Sequence, residues 1–427
     1  MKINIFWLRR DLRVKDNHGL LKALKGNNPV LLLFIFDTNI VANLDKNDPR
    51  ITFIYDALSN IHNEVLKHKS SLLVEHGTPE NVFSKLLDQY QIEKVYANSD
   101  YEPYAVNRDK QISLLLKEKG ATLNLHKDQV IFEKEEVLTQ SGSPYKVFTA
   151  YKNQWKKQFS DKSPQAYPSE AFLHNLKRHE QNLPSLSHFG FVRSSMTFPP
   201  SQPDNKIIRH YDETRDNPSL PTTQIGVHLR FGTASTRAMV KKAAKLNDTW
   251  LNELIWREFY MQLLYHFPKS EHEAFNPNLN NLPWRYSDAE FERWCEGTTG
   301  YPLVDAGMRQ LNETGFMHNR VRMVVASFLT KHLLLNWTLG ERYFANKLLD
   351  FDLAANVGNW QWVAGTGADA QPFIRIFNPT LQQKRFDPKF DYIKKWVPEY
   401  ETGKYPTPII DHKQATERAK NAFESLK

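Results

Sequence analysis

The chain has 427 residues, long enough for two domains, and its 41% apolar and 24% charged residues give the balance of a soluble globular protein. Lysine and arginine exceed aspartate and glutamate by 56 to 48, a formal charge of +8 that attracts polyanions if it gathers on one face. The single cysteine, Cys295, excludes an internal disulfide; no Cys/His spacing resembles a zinc site, and no apolar run approaches the roughly 18 residues of a membrane span.

The chain opens with a short apolar run that meets Arg9, Arg10 and Arg13, unlike a secretory leader, so a reducing cytoplasm is the expected location. Short β-rich runs follow at Ile3–Leu8, Val30–Phe36, Ser71–Val74, Lys94–Ala97 and Thr122–Leu125, alternating with amphipathic helical stretches. This period predicts an α/β N-terminal domain over 1–128 with a parallel, Rossmann-like sheet. Neither GxGxxG nor GxxxxGK[ST] is present there. Residues 129–206, rich in Pro, Ser, Asn and Gln after Ser160, read as an interdomain connection. From 207 to 427 helical signals dominate: Asp248 as an N-cap, Pro302 in a first turn, Gly315 and Gly340 as stops. An all-α C-terminal domain is expected.

Eight of the ten tryptophans lie in that helical half, which suits a flat aromatic ligand. In the helix from Asp248, Glu253, Trp256, Arg257 and Tyr260 fall at i, i+3, i+4 and i+7 and share a face, while apolar residues cover the rest. A Glu253 to Arg257 pair there faces a lined cavity rather than water. Asn319, Arg322, Met323 and Ala326 share a second such face. A buried guanidinium requires a carboxylate, and Asp350 and Asp352 are the nearest candidates for Arg322, with Asn356 and Trp360 stacked at i, i+4 beyond them. Together these residues describe a polar, aromatic-walled pocket of cofactor type. The hydroxyl- and Gly-bearing stretch Thr222–Arg237 runs into a helix and suits a diphosphate.

Several long runs in order, Phe6–Asn17, Leu251–Tyr260, Gly300–Leu311, Met317–Met323, Asp352–Trp362 and Arg375–Pro379, resemble class I photolyases and their cryptochrome relatives. The resemblance implies an FAD-binding helical domain, with Tyr211, Thr222, Thr223, Gln224, Ile225, Gly226, Trp250, Glu253, Arg257 and Asn319 at the cofactor. It further implies that Arg322 pairs with Asp350, that Asp352 adds a polar contact and that Asn356 faces flavin N5. It makes Trp360, Trp337 and Trp284 an electron-transfer chain. Trp256, Met323 and Trp362 would wall a cyclobutane pyrimidine dimer in UV-damaged DNA, with Glu253 hydrogen-bonded to it. Arg215, Arg320 and Arg375 would grip phosphates beside Trp256 and Trp362.

Repair enzymes for (6-4) photoproducts place histidines near the lesion, whereas this chain has Met323 with Trp256 and Trp362, and no long tail follows the helical domain, so dimer repair by a monomer is expected over (6-4) repair or cryptochrome signalling. Gln224 and Gly226 replace a common Arg and Ser, and Phe316 a common Trp. Arg108 after Asn107, and Glu271, depart from folate-antenna enzymes, leaving deazaflavin, flavin or no second chromophore open.

Overall fold

The computed structural model describes residues 2–161, 164–373 and 375–426. Residues 1–136, 155–202 and 225–244 form one compact unit, and 137–154, 203–224 and 245–427 a second.

In the first unit, strands β1 (Lys2–Leu8), β2 (Val30–Asp37), β3 (Leu72–Gly77), β4 (Gln91–Asn98) and β5 (Thr122–His126) form one parallel sheet in the order β3-β2-β1-β4-β5. All eight residues of β2 are buried, as continuous apolar strands covered on both faces require. Proline opens three of the flanking helices, Pro49–Leu66, Pro79–Gln89 and Pro103–Glu118, where its missing N–H costs nothing. The strand order reverses at β1, so the carboxyl ends of β1 and β4 mark the topological switch point.

The expected boundaries at 128 and 206 give way to an interleaved division. Leu173, Leu176, Leu186, Phe189 and Phe191 bury against the β2 side of the sheet with Phe34 and Phe36, and Lys177 N–H donates to the Val30 carbonyl at 2.8 Å. Isolated apolar anchors in a polar, proline-rich stretch show no period, yet each fills a place in the core. Residues 225–244 join the same unit because Arg237, with Arg13, closes on buried Asp128 at 2.8 and 2.7 Å. Burial pushes the Asp128 carboxyl up, but the two guanidiniums outweigh it and hold it below its ordinary value.

In the second unit the Asp248–His266 helix is buried nearly all round, as its sequence predicts. Its cap is Asn247 rather than Asp248: the Asn247 side-chain oxygen accepts from Trp250 N–H at 3.0 Å, and Asp248 sits in the first turn, where the helix dipole favours a negative charge. Pro302 opens its helix and Gly315 ends it, as expected. Gly340, expected as a stop, lies inside the Trp337–Lys347 helix, where a β-carbon would come within 2.1 Å of the Trp360 ring. It is a site of close approach to the Leu353–Ala364 helix. The Asn319–Ser327 helix runs on into a π turn, Phe328–His332. That turn buries Lys331, whose Nζ donates to the Ala364 carbonyl at 2.6 Å, at the end of the helix carrying Asn356, Trp360 and Trp362, and lies 4.0 Å from the Phe423 ring centre. No described helix is long and apolar enough to cross a membrane.

Two stability predictions follow from these buried charges. Asp128→Ala removes the carboxylate that Arg13 and Arg237 share, leaving Arg13 with backbone acceptors and Arg237 with Asp16, and is expected to cost about 3 kcal/mol in urea denaturation of the first unit. In the wild type the Asp128 contribution is present above the ordinary carboxylate pKa and lost as pH falls through the depressed folded value. For Lys331, burial lowers the folded pKa to about 7 from 10.5. The unfolded chain therefore binds more protons above pH 7, and the second unit is expected to gain stability from about pH 7 toward pH 9, a rise that Lys331→Met removes.

Candidate functional site

The sequence spacing places Asn319, Arg322, Met323 and Ala326 on one helix face, and the structure sets that face opposite Asp350, Asp352, Asn356 and Trp360. With Phe344, Leu348, Phe351, Ala355, Asn359 and Val363 they line one cleft. Arg322 pairs with Asp350 at 3.0 Å, and its Nε donates to the Met317 carbonyl at 2.8 Å. Asp352 serves locally as the cap of the Leu353–Ala364 helix, accepting from Ala355 N–H. Asn356 commits its amide nitrogen to Glu341, donating to the backbone carbonyl at 3.0 Å and the side-chain carboxyl at 2.9 Å. Its amide oxygen is left as the acceptor for a ligand. Glu341 was not singled out from the sequence; it follows Gly340, and its burial pushes the carboxyl pKa up.

Among the described residues that line the cleft there is no histidine. Nearby His318 is buried, its Nδ1 accepts from Arg320 N–H at 3.2 Å, and burial with adjacent Arg322 lowers its pKa to about 4, so it stays neutral.

Beyond Met323 the polar contacts continue. Arg320 reaches the Met323 sulfur at 3.6 Å and pairs with Asp216 at 2.7 Å. Next to Asp216, Arg215 pairs with Glu253 at 2.9 Å, and the Tyr211 hydroxyl donates to the same carboxylate. The expected Glu253 to Arg257 pair is thus replaced by one from a different segment, 211–215, since a cation from a neighbouring element approaches the carboxylate without the geometric limits of one helix surface. Burial raises the Glu253 pKa, while Arg215 and Tyr211 oppose the rise.

Trp256, one turn beyond Glu253, stacks face to face on Phe148, with centroids 3.6 Å apart and planes 8° from parallel. It also meets Tyr260 at 5.4 Å, and the Tyr260 hydroxyl reaches Asn359 of the cleft at 3.5 Å. Phe148 carried no sequence signal, because its partner lies more than a hundred residues away.

Trp337 and Trp360 are buried in one core cluster, with Trp284 and Trp362 partly buried against it. Trp284 is followed by Arg285, whose N–H donates to the Leu334 carbonyl, three residues before Trp337. Trp360 lines the cleft, Trp337 is buried and Trp284 is half-buried.

The remaining residues are less gathered. Trp250 is buried in the first turn of its helix, and Arg257 lies half-buried on the same helix; neither lines the cleft. Thr222 and Thr223 lie in a loop, Gln224 takes a left-handed φ of 46°, and Ile225 and Gly226 belong to the first unit, where Gly226 opens a helix of only five residues. Arg375 is exposed, 5.7 Å from the Phe377 ring centre.

An isoalloxazine needs a flat slot with aromatic walls and a polar edge, and the cleft residues fit that requirement. Residues 250–404 match a family model described as the FAD binding domain of DNA photolyase, and residues 4–169 one described as DNA photolyase. The deoxyribodipyrimidine photo-lyase of Halobacterium salinarum is 34% identical, covering 99% of both chains. That of a Synechococcus species is also 34% identical, over 99% of this chain and 96% of its own. A bacterial class III photolyase from Agrobacterium tumefaciens superposes with a TM-score of 0.88 at 32% identity, covering 100% of this chain and 98% of its own. An archaeal photolyase from Sulfolobus tokodaii, solved with two FAD molecules, gives 0.84 at 30% identity with 100% of both chains covered. A Synechocystis cryptochrome gives 0.83 at 25% identity, covering 99% of each. This chain, similar to all of them along its whole length, belongs to the DNA photolyase family.

Proposed function

We propose that the chain is a blue-light-driven deoxyribodipyrimidine photo-lyase that splits cyclobutane pyrimidine dimers in UV-damaged DNA. The observation that carries this reading is the cleft, where one amide oxygen, one Arg–Asp pair and the first of three indoles converge. When bound, FAD supplies the photochemistry, absorbing blue light and passing one electron to the dimer.

The chain's own residues hold and orient. Asn356, its nitrogen fixed by Glu341, presents an acceptor to the protonated edge of a reduced flavin. The Arg322 and Asp350 pair supplies a cation that favours the anionic cofactor. Trp360, Trp337 and Trp284 break the distance from surface to cleft into short electron hops. On the substrate side, Trp256 offers the indole face that Phe148 does not cover, with Met323 and Trp362 as further walls. A fused dimer stacks poorly in a duplex, so its extrusion costs less than that of an intact pair; photolyases are a named example of base flipping. Arg215, Arg320 and Arg375 supply cations for the flanking phosphates. A second chromophore of flavin or deazaflavin type, as in the S. tokodaii relative with its two FAD molecules, is assigned to the switch-point end of the sheet, where Arg108 lies 4.9 Å from the Trp7 ring centre and 5.7 Å from that of Tyr104.

The direct test is to reduce the FAD-loaded protein, add an oligonucleotide with one defined thymine dimer, and follow repair under blue light and in the dark. Light-dependent loss of the dimer is expected; its absence would leave a cryptochrome-type photoreceptor as the better reading. Trp360→Phe is expected to block photoreduction of oxidised FAD while chemically reduced enzyme still repairs. In competition binding, Trp256→Ala should lose about 1–3 kcal/mol of preference for dimer-containing over intact DNA. Phe148→Leu, which frees the indole to tilt, should lose a smaller part of it with little effect on binding to intact DNA.

A further inference from the structure

We infer that Arg215 couples DNA binding to the protonation of Glu253: a phosphate of the bound strand takes over the Arg215 guanidinium, and the carboxylate left behind takes up a proton and becomes a hydrogen-bond donor to a base carbonyl of the dimer. This rests on the proposed placement of the dimer against Trp256.

Two requirements meet on one side chain. A carboxylate accepts hydrogen bonds but cannot donate one, and the exocyclic carbonyls of a pyrimidine dimer only accept. Glu253 therefore serves a carbonyl only in its protonated form. In the DNA-free protein burial raises its pKa, while Arg215 at 2.9 Å and the Tyr211 hydroxyl favour the charged form.

Arg215 is also a suitable cation for a phosphate. Its side chain is 30% exposed and that of Glu253 31%, so the pair sits where a ligand can compete for it. Exchange of the carboxylate for a phosphate keeps the guanidinium paired, so Arg215 loses little by it. A phosphate accepts the guanidinium through two oxygens as readily as a carboxylate does.

The other charged and titratable groups around Glu253 do not replace Arg215. Asp216 is itself an anion, engaged by Arg320 at 2.7 Å, and its charge raises the Glu253 pKa. Tyr260, on the same helix, is deeply buried and holds its proton, its pKa raised first by burial and further by the charges of Asp369 and Glu253. Tyr211, likewise shifted far up by burial and by Glu253, remains a neutral donor. Arg257, one turn along the helix, engages other partners. Once Arg215 turns to phosphate, burial and Asp216 both favour the neutral carboxyl. The positioning role of Arg215 is thus distinct from a simple contribution to affinity: it makes the donor appear only when a strand is in place.

The test is proton uptake. Binding of a single-dimer oligonucleotide to FAD-loaded protein is measured calorimetrically in the dark, at a series of pH values, in buffers of different ionisation enthalpy. Wild type is expected to show net proton uptake on binding. Glu253→Gln, which keeps the shape and the ability to donate, should bind without that uptake. Arg215→Met should bind with less of it, since its Glu253 has lost the cation beforehand. Replacing the phosphates flanking the dimer by neutral methylphosphonates should reduce uptake while a preference for the dimer remains. Unchanged protonation in a wild type that prefers and repairs dimers would overturn the coupling alone, as would uptake that persists in Glu253→Gln. Loss of both the preference and repair in the wild type would overturn the placement of the dimer, and the coupling with it.

Discussion

A β-carbon at position 340 would stand 2.1 Å from the Trp360 ring and 2.6 Å from Leu329, so the two helices that carry the cleft can approach this closely only through a glycine. Three functional relations depend on that approach. Glu341, the next residue, meets the Asn356 amide with both its backbone and side chain. Trp337, one turn earlier on the same helix, enters the core cluster that holds Trp360. The Trp360 ring itself is fixed between Phe344, with centroids 5.0 Å apart, and Trp294 at 6.1 Å, which limits its orientation toward the cleft. A larger residue at 340 would displace the Glu341–Asn356 contact and the Trp360 ring together, because one packing contact supports both.

The charges divide into two kinds by their exposure. In the sheet unit, Arg13 and Asp128 are 9% and 2% exposed, and Asp128 is shared with Arg237, so removing the carboxylate takes a partner from two buried guanidiniums; such contacts hold the fold. Around the helical site the pairs Arg322–Asp350, Arg215–Glu253 and Arg320–Asp216 keep between 19% and 43% of each side chain exposed. These contribute little to folding, but each offers an anion-binding guanidinium already paired and oriented. The cost of holding a cation near the cleft is met locally by an acidic neighbour that a ligand can displace.

Much of this was legible in the sequence. Short β-rich runs marked all five strands within a few residues; β1 and β2 are apolar and buried almost throughout, while the edge strand β5 has no buried residue. Helical spacing grouped Asn319, Arg322 and Met323 on one face and Asn356 and Trp360 on another, and the two faces line one cleft, since a 3.6-residue period determines a face whatever packs against it. What periodicity could not show was the partner across a gap. Glu253 finds Arg215 rather than Arg257, Trp256 finds Phe148, and Asn356 finds Glu341, each joined by chain topology. Gly340 reads as a helix stop because glycine is a poor helix former, and only its neighbour Trp360 explains its place in mid-helix. The Leu173–Phe191 anchors escaped notice for a related reason: single apolar residues in a polar segment leave no repeating signal.

The fold does not by itself separate repair from signalling, since a cryptochrome superposes on this chain nearly as well as the photolyases do. On the proposed reading the distinction lies on the lesion side, where repair needs a surface that stays flat when a base is extruded onto it. Phe148 lies parallel to Trp256 and limits its rotation, and Phe148 N–H donates to the Asp369 carboxylate at 3.0 Å. Such bracing is what the proposed lesion wall requires of Trp256.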